Sequence, residues 1–179
     1  MLSKVESENI LQKTWEEISR DVPKKNVPYI GLEQLYDITL VVYDALISSD
    51  QNKLGLVDQY LDEKIRKIGE YEFDIHTSIR RAMAYNEMIA IEKIFHRTRY
   101  GKDNILPVFE TENNLDRLRG LIANIIKSGD IVKAEKLKKY IDETSIKQYT
   151  SGKTGFNFSE LCTYGNVLLG FINAIKKTK

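Results

Sequence analysis

One cysteine, two histidines, three prolines and a single tryptophan in 179 residues leave several chemistries short of material. The lone thiol, Cys162, excludes an internal disulfide, and its place among Leu161, Tyr164 and Val167 reads as a small core residue in a helical pattern. Two histidines, His76 and His96, with no paired cysteines provide no zinc-ligand spacing, so no metal site is expected. Charge of one sign is also missing. A formal balance of +1 advertises neither nucleic acid nor an anionic surface, and any such binding needs a local patch. No apolar run approaches the roughly 20 residues of a spanning helix, and Met1–Glu6 lacks the apolar stretch of a signal peptide. The expectation is a cytoplasmic protein with no membrane partner.

What is present is apolar material and helical period. With 42% hydrophobic and 30% charged residues, the chain can bury a core and remain dissolved. Ser3-x-x-Glu6 is a capping box and starts the first helix. Leu11, Trp15, Ile18 and Val22 then recur at spacings of three and four. Pro23 and Pro28 bracket a linker, since proline has no amide donor and clashes with the preceding turn. From Leu32 to about Ile47 apolar residues lie almost all round, the pattern of a central helix. Leu54, Val57, Leu61, Ile65 and Ile68 mark an amphipathic helix with Asp58, Glu63, Lys64, Arg66 and Lys67 toward water.

A long helix is predicted from an N-cap at about Asp74 to Arg99, ended by Tyr100-Gly101 and followed by a loop over 102–113. The stripe Leu115, Leu118, Ile122 and Ile125 stops at Ser128-Gly129-Asp130, and Ala134, Leu137 and Ile141 begin another. This pair reads as an antiparallel hairpin. Leu161, Tyr164, Leu168, Phe171 and Ile175 form the closing helix, in which Gly165 and Gly170 weaken the helix but permit close packing. The fold expected is all-α: a single-domain bundle of about six helices over 1–179, with a C-terminal hairpin plus closing helix and a possible subdivision near the 100–113 loop.

Motifs for chemistry are few. Ser151-Gly152-Lys153-Thr154 contains the GKT of a phosphate loop, but the earlier glycine of that motif falls at Lys147, and the segment follows a helix instead of a strand. It reads as a glycine turn, and no cofactor is implied. Small helical RNases often place a histidine a few residues after an arginine. Here Arg66 precedes His76 by ten positions and Arg81 precedes His96 by fifteen, so no compact pair forms. No nucleophile–histidine pattern is identifiable, and no catalytic residue is assigned.

The segment from Arg80 to Lys102 is the most informative. At 100° per residue, Arg81, Tyr85, Glu92, His96 and Arg99 share a polar face, with Arg97 and Lys102 beside it. That face suits either solvent, an acidic partner or phosphate, and Glu92 weakens the last. Glu92 and His96 lie one turn apart and form either a solvated pair or half of an ion site. Arg80 and Glu87 fall instead with Met83, Ala84, Ile91 and Ile94. Two charges set into an apolar stripe imply a structural or interface network, formed through a neighbouring helix, with Asp37 or Asp44, or at a subunit interface, or else a ligand site. Lys133, Lys136, Lys138 and Lys139 form a second basic cluster that reads as solvated.

These observations rank a non-enzymatic interaction or regulatory protein first, presenting a surface around Tyr36, Tyr43, Tyr85 and Phe95 to another protein or to a second copy in a homodimer. Nucleic-acid binding through Arg81, Arg97, Arg99 and Lys102 is the second reading. The third is a hydrolase or RNase built on Arg80, Glu87, Glu92 and His96.

Overall fold

The computed structural model describes residues 1–20, 30–70, 78–100, 113–152 and 156–179. Within them each apolar stripe forms a helix of its own: α1 (Lys4–Arg20), α2 (Leu32–Ser48), α3 (Gln51–Glu70), α4 (Ser78–Tyr100), α5 (Asn113–Ser128), α6 (Ile131–Thr150) and α7 (Phe156–Thr178). The described residues therefore hold seven helices, one more than the expected count, and no strand. The Pro23–Pro28 linker, the Asp74 cap, the 102–113 loop apart from Asn113, and Lys153-Thr154 lie outside the described residues.

Helix ends follow local chemistry. Ser3 and Glu6 close the capping box reciprocally, Ser3 N donating to Glu6 Oε2 at 2.7 Å and Glu6 N to Ser3 Oγ at 3.2 Å. Asp50 accepts from Asn52 N at 2.8 Å ahead of α3, and Asp130 accepts from Lys133 N at 3.0 Å ahead of α6. The α5–α6 turn passes through Gly129 at φ 63°, a left-handed conformation that glycine adopts without steric cost.

Because α2 is apolar on most sides, it has to be surrounded. Leu35, Ile38, Val41, Val42 and Ala45 are all buried, and α1, α3, α4, α5 and α7 pack around them. Its most extensive partner is α7, whose Tyr164, Val167, Leu168, Phe171 and Ile175 are buried. Gly170 makes this approach possible: a Cβ there would stand 2.6 Å from Thr39 Oγ1 and 3.0 Å from Thr39 Cγ2. Gly165 plays the same part against α6, where a Cβ would meet Ile141 Cγ2 at 3.1 Å. Both glycines thus act as the sequence suggests. Cys162 is half-buried, not fully in the core, because it lies at the margin of the packed face of α7.

One buried ion pair ties three segments together. Lys53 Nζ on α3 lies 2.7 Å from Asp44 Oδ2 on α2, with the side chains 7% and 0% exposed, and Leu2 N donates to Asp44 Oδ1 at 3.0 Å. Both carboxylate oxygens are satisfied, which is what makes a charge tolerable at this depth. Lys64 is a correction to the sequence reading, which turned it to water. It is buried because α1 crosses α3 there, and its ammonium sits 4.9 Å from the Trp15 ring, 5.6 Å from the Tyr60 ring and 2.9 Å from Glu63 Oε1. Among the described residues, no helix is long and apolar enough to cross a membrane.

Two stability outcomes follow. Gly170→Ala gains about 1 kcal/mol of helix propensity but overpacks against a β-branched side chain that no rotation clears, at roughly 1–3 kcal/mol. A net loss is expected in urea unfolding, and adding Thr39→Ala should shrink it through a measurable coupling. Lys53→Met strands Asp44 without its cation and should cost about 3–5 kcal/mol. A loss below about 1 kcal/mol would mean the pair is not buried in solution.

Candidate functional site

The long helix α4 has two different sides. Ala84, Met88, Ile91, Ile94 and Phe95 are buried toward its neighbours, while Tyr85 is 38% exposed and Glu92 and His96 are half-exposed. The side chains of Arg80, Arg81, Arg97 and Arg99, and the whole of Lys102, lie outside the described residues. Of the predicted face, the described part is anionic around one imidazole. His96 Nε2 lies 3.3 Å from Glu92 Oε1 and 3.6 Å from Asp58 Oδ1, which α3 supplies. The sequence reading turned Asp58 to water; the α3–α4 packing instead half-buries it against His96. Two carboxylates at one ring nitrogen would repel a phosphate. Among the described residues, no group of three or more His, Cys, Asp or Glu side chains has an arrangement that could hold a metal ion.

Glu87 is only 8% exposed, as its place in the apolar stripe implies. No described hydrogen bond or ion pair reaches its carboxyl group, and burial pushes its pKa up to about 7. Asp44, one partner considered for the Arg80–Glu87 pair, is taken by Lys53 instead. Glu87 and His96 are nine residues apart on one helix, about 13 Å along its axis and about 180° around it. Glu87 therefore faces the interior while His96 faces outward, and these two members of the proposed hydrolytic constellation do not share a site.

The presenting surface also needs correction. Tyr43 is 5% exposed and Phe95 is fully buried, so both belong to the core, while Tyr36 is half-buried. Their positions follow from α2 and α4 being covered on more than one side. Exposed apolar residues gather elsewhere. Among the described residues α6 packs only against α7 and α5, burying Ala134 and Ile141. On its other sides Val132, Tyr140, Ile146 and Tyr149 are each more than 60% exposed. Lysines are interleaved with them. Lys138 pairs with Asp142 at 2.6 Å, Lys139 with Glu143 at 3.9 Å, and Lys176 of α7 with Glu135 at 2.8 Å, so all three carboxylates of α6 have a lysine. Lys136 and Lys147, one and two turns from Tyr140 along the same edge, have no described ion partner.

This outer face was not recognised from the sequence, although its signal was present. Val132, Tyr140, Ile146 and Tyr149 fall off the Ala134–Leu137–Ile141 stripe, giving α6 apolar residues in excess of one packing face. A further polar group was also missed: Arg119 of α5 donates through Nε to Tyr164 Oη and through Nη2 to Glu160 Oε1, with its guanidinium carbon 5.4 Å from the Tyr164 ring centroid. All members of that group have partners, and it joins α5 to α7. No protein-family model, curated protein or solved structure matches the chain.

The Glu87 environment generates a pH test. Its carboxyl pKa is raised from 4.5 to about 7, so the folded state keeps a proton that the unfolded chain releases across that window. Stability should fall as pH rises from about 4.5 to about 7 and level off above, by as much as about 3 kcal/mol. Glu87→Gln, which stays neutral, should lose that slope and exceed the wild type in urea unfolding at about pH 8. Parallel pH profiles for the two proteins would show that Glu87 holds no proton in the folded state.

Proposed function

We propose that this protein acts non-covalently, as a helical interaction module whose contact surface is the outer face of α6. The observation that carries this reading is the exposure of Val132, Tyr140, Ile146 and Tyr149, spread over the half of α6 turned away from α5 and α7, which among the described residues are its packing partners. Single exposed apolar residues are ordinary on a folded surface, but four on one helix, two of them tyrosines, form an interface-like composition. The helix is supported from behind, since α6 is held on α7 through the close approach at Gly165 and capped by Asp130. A regulatory role in the cytoplasm, exerted by occupying a partner, suits such a surface better than turnover of a substrate.

A photo-crosslinking amino acid placed at position 140 tests this in cells. Protein adducts should form there and be absent, or much weaker, with the same group at Lys13, which is 73% exposed on the polar side of α1. Equal labelling at the two positions would remove the α6 face as an interaction surface. Tyr140→Ser combined with Ile146→Ser should leave unfolding stability within about 0.5 kcal/mol of wild type, because neither side chain is packed.

A further inference from the structure

Resting on the reading just given, we infer that the occupant of the α6 face is an acidic amphipathic helix of a partner protein. Its apolar residues would cover Tyr140 and Ile146, and its carboxylates would meet Lys136 and Lys147. The argument is charge complementarity. The carboxylates of α6 are matched by Lys138, Lys139 and Lys176, which leaves Lys136 and Lys147 as ammonium groups without a described ion partner. They stand eleven residues apart, about 16 Å along the helix, with Tyr140 between them on the same edge. A helix laid along α6 can set two carboxylates at that separation, three turns apart, with an apolar side chain between them over the tyrosine ring.

A second copy of this chain fits less well. Antiparallel pairing of two α6 helices through this face sets like edges against each other, so Lys136 and Lys147 would face their own counterparts. Nucleic acid also fits less well. Tyr140 and Tyr149, the rings on which bases could stack, stand on opposite flanks of α6, about 180° apart, with the aliphatic Val132 and Ile146 between them.

The test uses the full-length chain and fluorescence anisotropy with three labelled probes. These are a synthetic amphipathic peptide of leucine and glutamate, its leucine and lysine counterpart with the same apolar pattern, and a single-stranded oligothymidine. The acidic peptide should bind at least about tenfold more tightly than the basic one at low salt, with affinity falling as salt rises. The double variant Lys136→Glu/Lys147→Glu should weaken it about tenfold or more, and Tyr140→Ser should also weaken it. Lys4→Glu/Lys13→Glu, an equal charge change on α1, should have little effect. Equal binding of the two peptides, or equal loss from the α1 and α6 variants, would overturn the inference. So would tighter binding of the oligothymidine, or a concentration-dependent dimer abolished by the α6 variant. Protein adducts from position 140 alongside failed peptide binding would leave α6 as an interaction surface with an occupant of different chemistry, which separates the two failures.

Discussion

The approach of α7 to α2 is the constraint on which the other helices depend. An α-helix with apolar residues on most sides is unstable in water and gains stability only when neighbours cover it. In α2, Leu35, Ile38, Val41, Val42 and Ala45 point in too many directions for one partner, so five helices gather around it. The closest of these contacts leaves no volume for a Cβ at Gly170. Leucine or even alanine at that position would hold the two helices apart. Because α7 also carries α6, and is joined to α5 by Arg119, displacement there would shift both helices of the hairpin.

Four buried charged residues show three resolutions of one problem, the desolvation of an ion. Asp44 is paired with Lys53, and its second oxygen accepts from the Leu2 amide. Lys64 lies between two aromatic faces and a carboxylate. Among the described residues no cation or donor reaches Glu87, and burial raises its carboxyl pKa to about 7. Of these arrangements, that of Glu87 makes folding depend on a proton near pH 7, because burial lifts its carboxyl to about that value.

Much of the fold was legible because it follows from local chemistry. The Ser3–Glu6 box, the Asp130 cap, the turn at Gly129 and the stripes of α1, α3, α5 and α7 are set by residues within a few positions of one another. The tight glycines of α7 were legible as weak points in a helix that had to be compensated by packing. The polar contacts were not. Periodicity states which residues share a face but not which neighbour crosses it, so Lys64 was assigned to water when α1 in fact lies over it. Arg119 and Glu160 are 41 positions apart and Leu2 and Asp44 are 42 apart, and nothing local links either pair. The same blindness placed Tyr43 and Phe95 on a presenting surface, since an aromatic on a doubly covered helix and one on an edge helix look identical in sequence.

The contrast between α4 and α6 is what places the proposed interaction surface on α6. In α4 the described polar residues meet one another: Glu92 and Asp58 both approach His96 within the fold. In α6 the carboxylates are matched but the lysines are in excess, and that excess lies beside a tyrosine more than half exposed. Solvation alone accounts for lysines, since water accommodates an ammonium well. It does not account for Val132, Tyr140, Ile146 and Tyr149, whose exposure forgoes about 1.5–3 kcal/mol for each large side chain that burial would otherwise recover. A face that combines unburied apolar area with surplus positive charge therefore has two separate reasons to associate with a partner, and each is met by the same kind of partner, one that is apolar along a stripe and acidic at its edge.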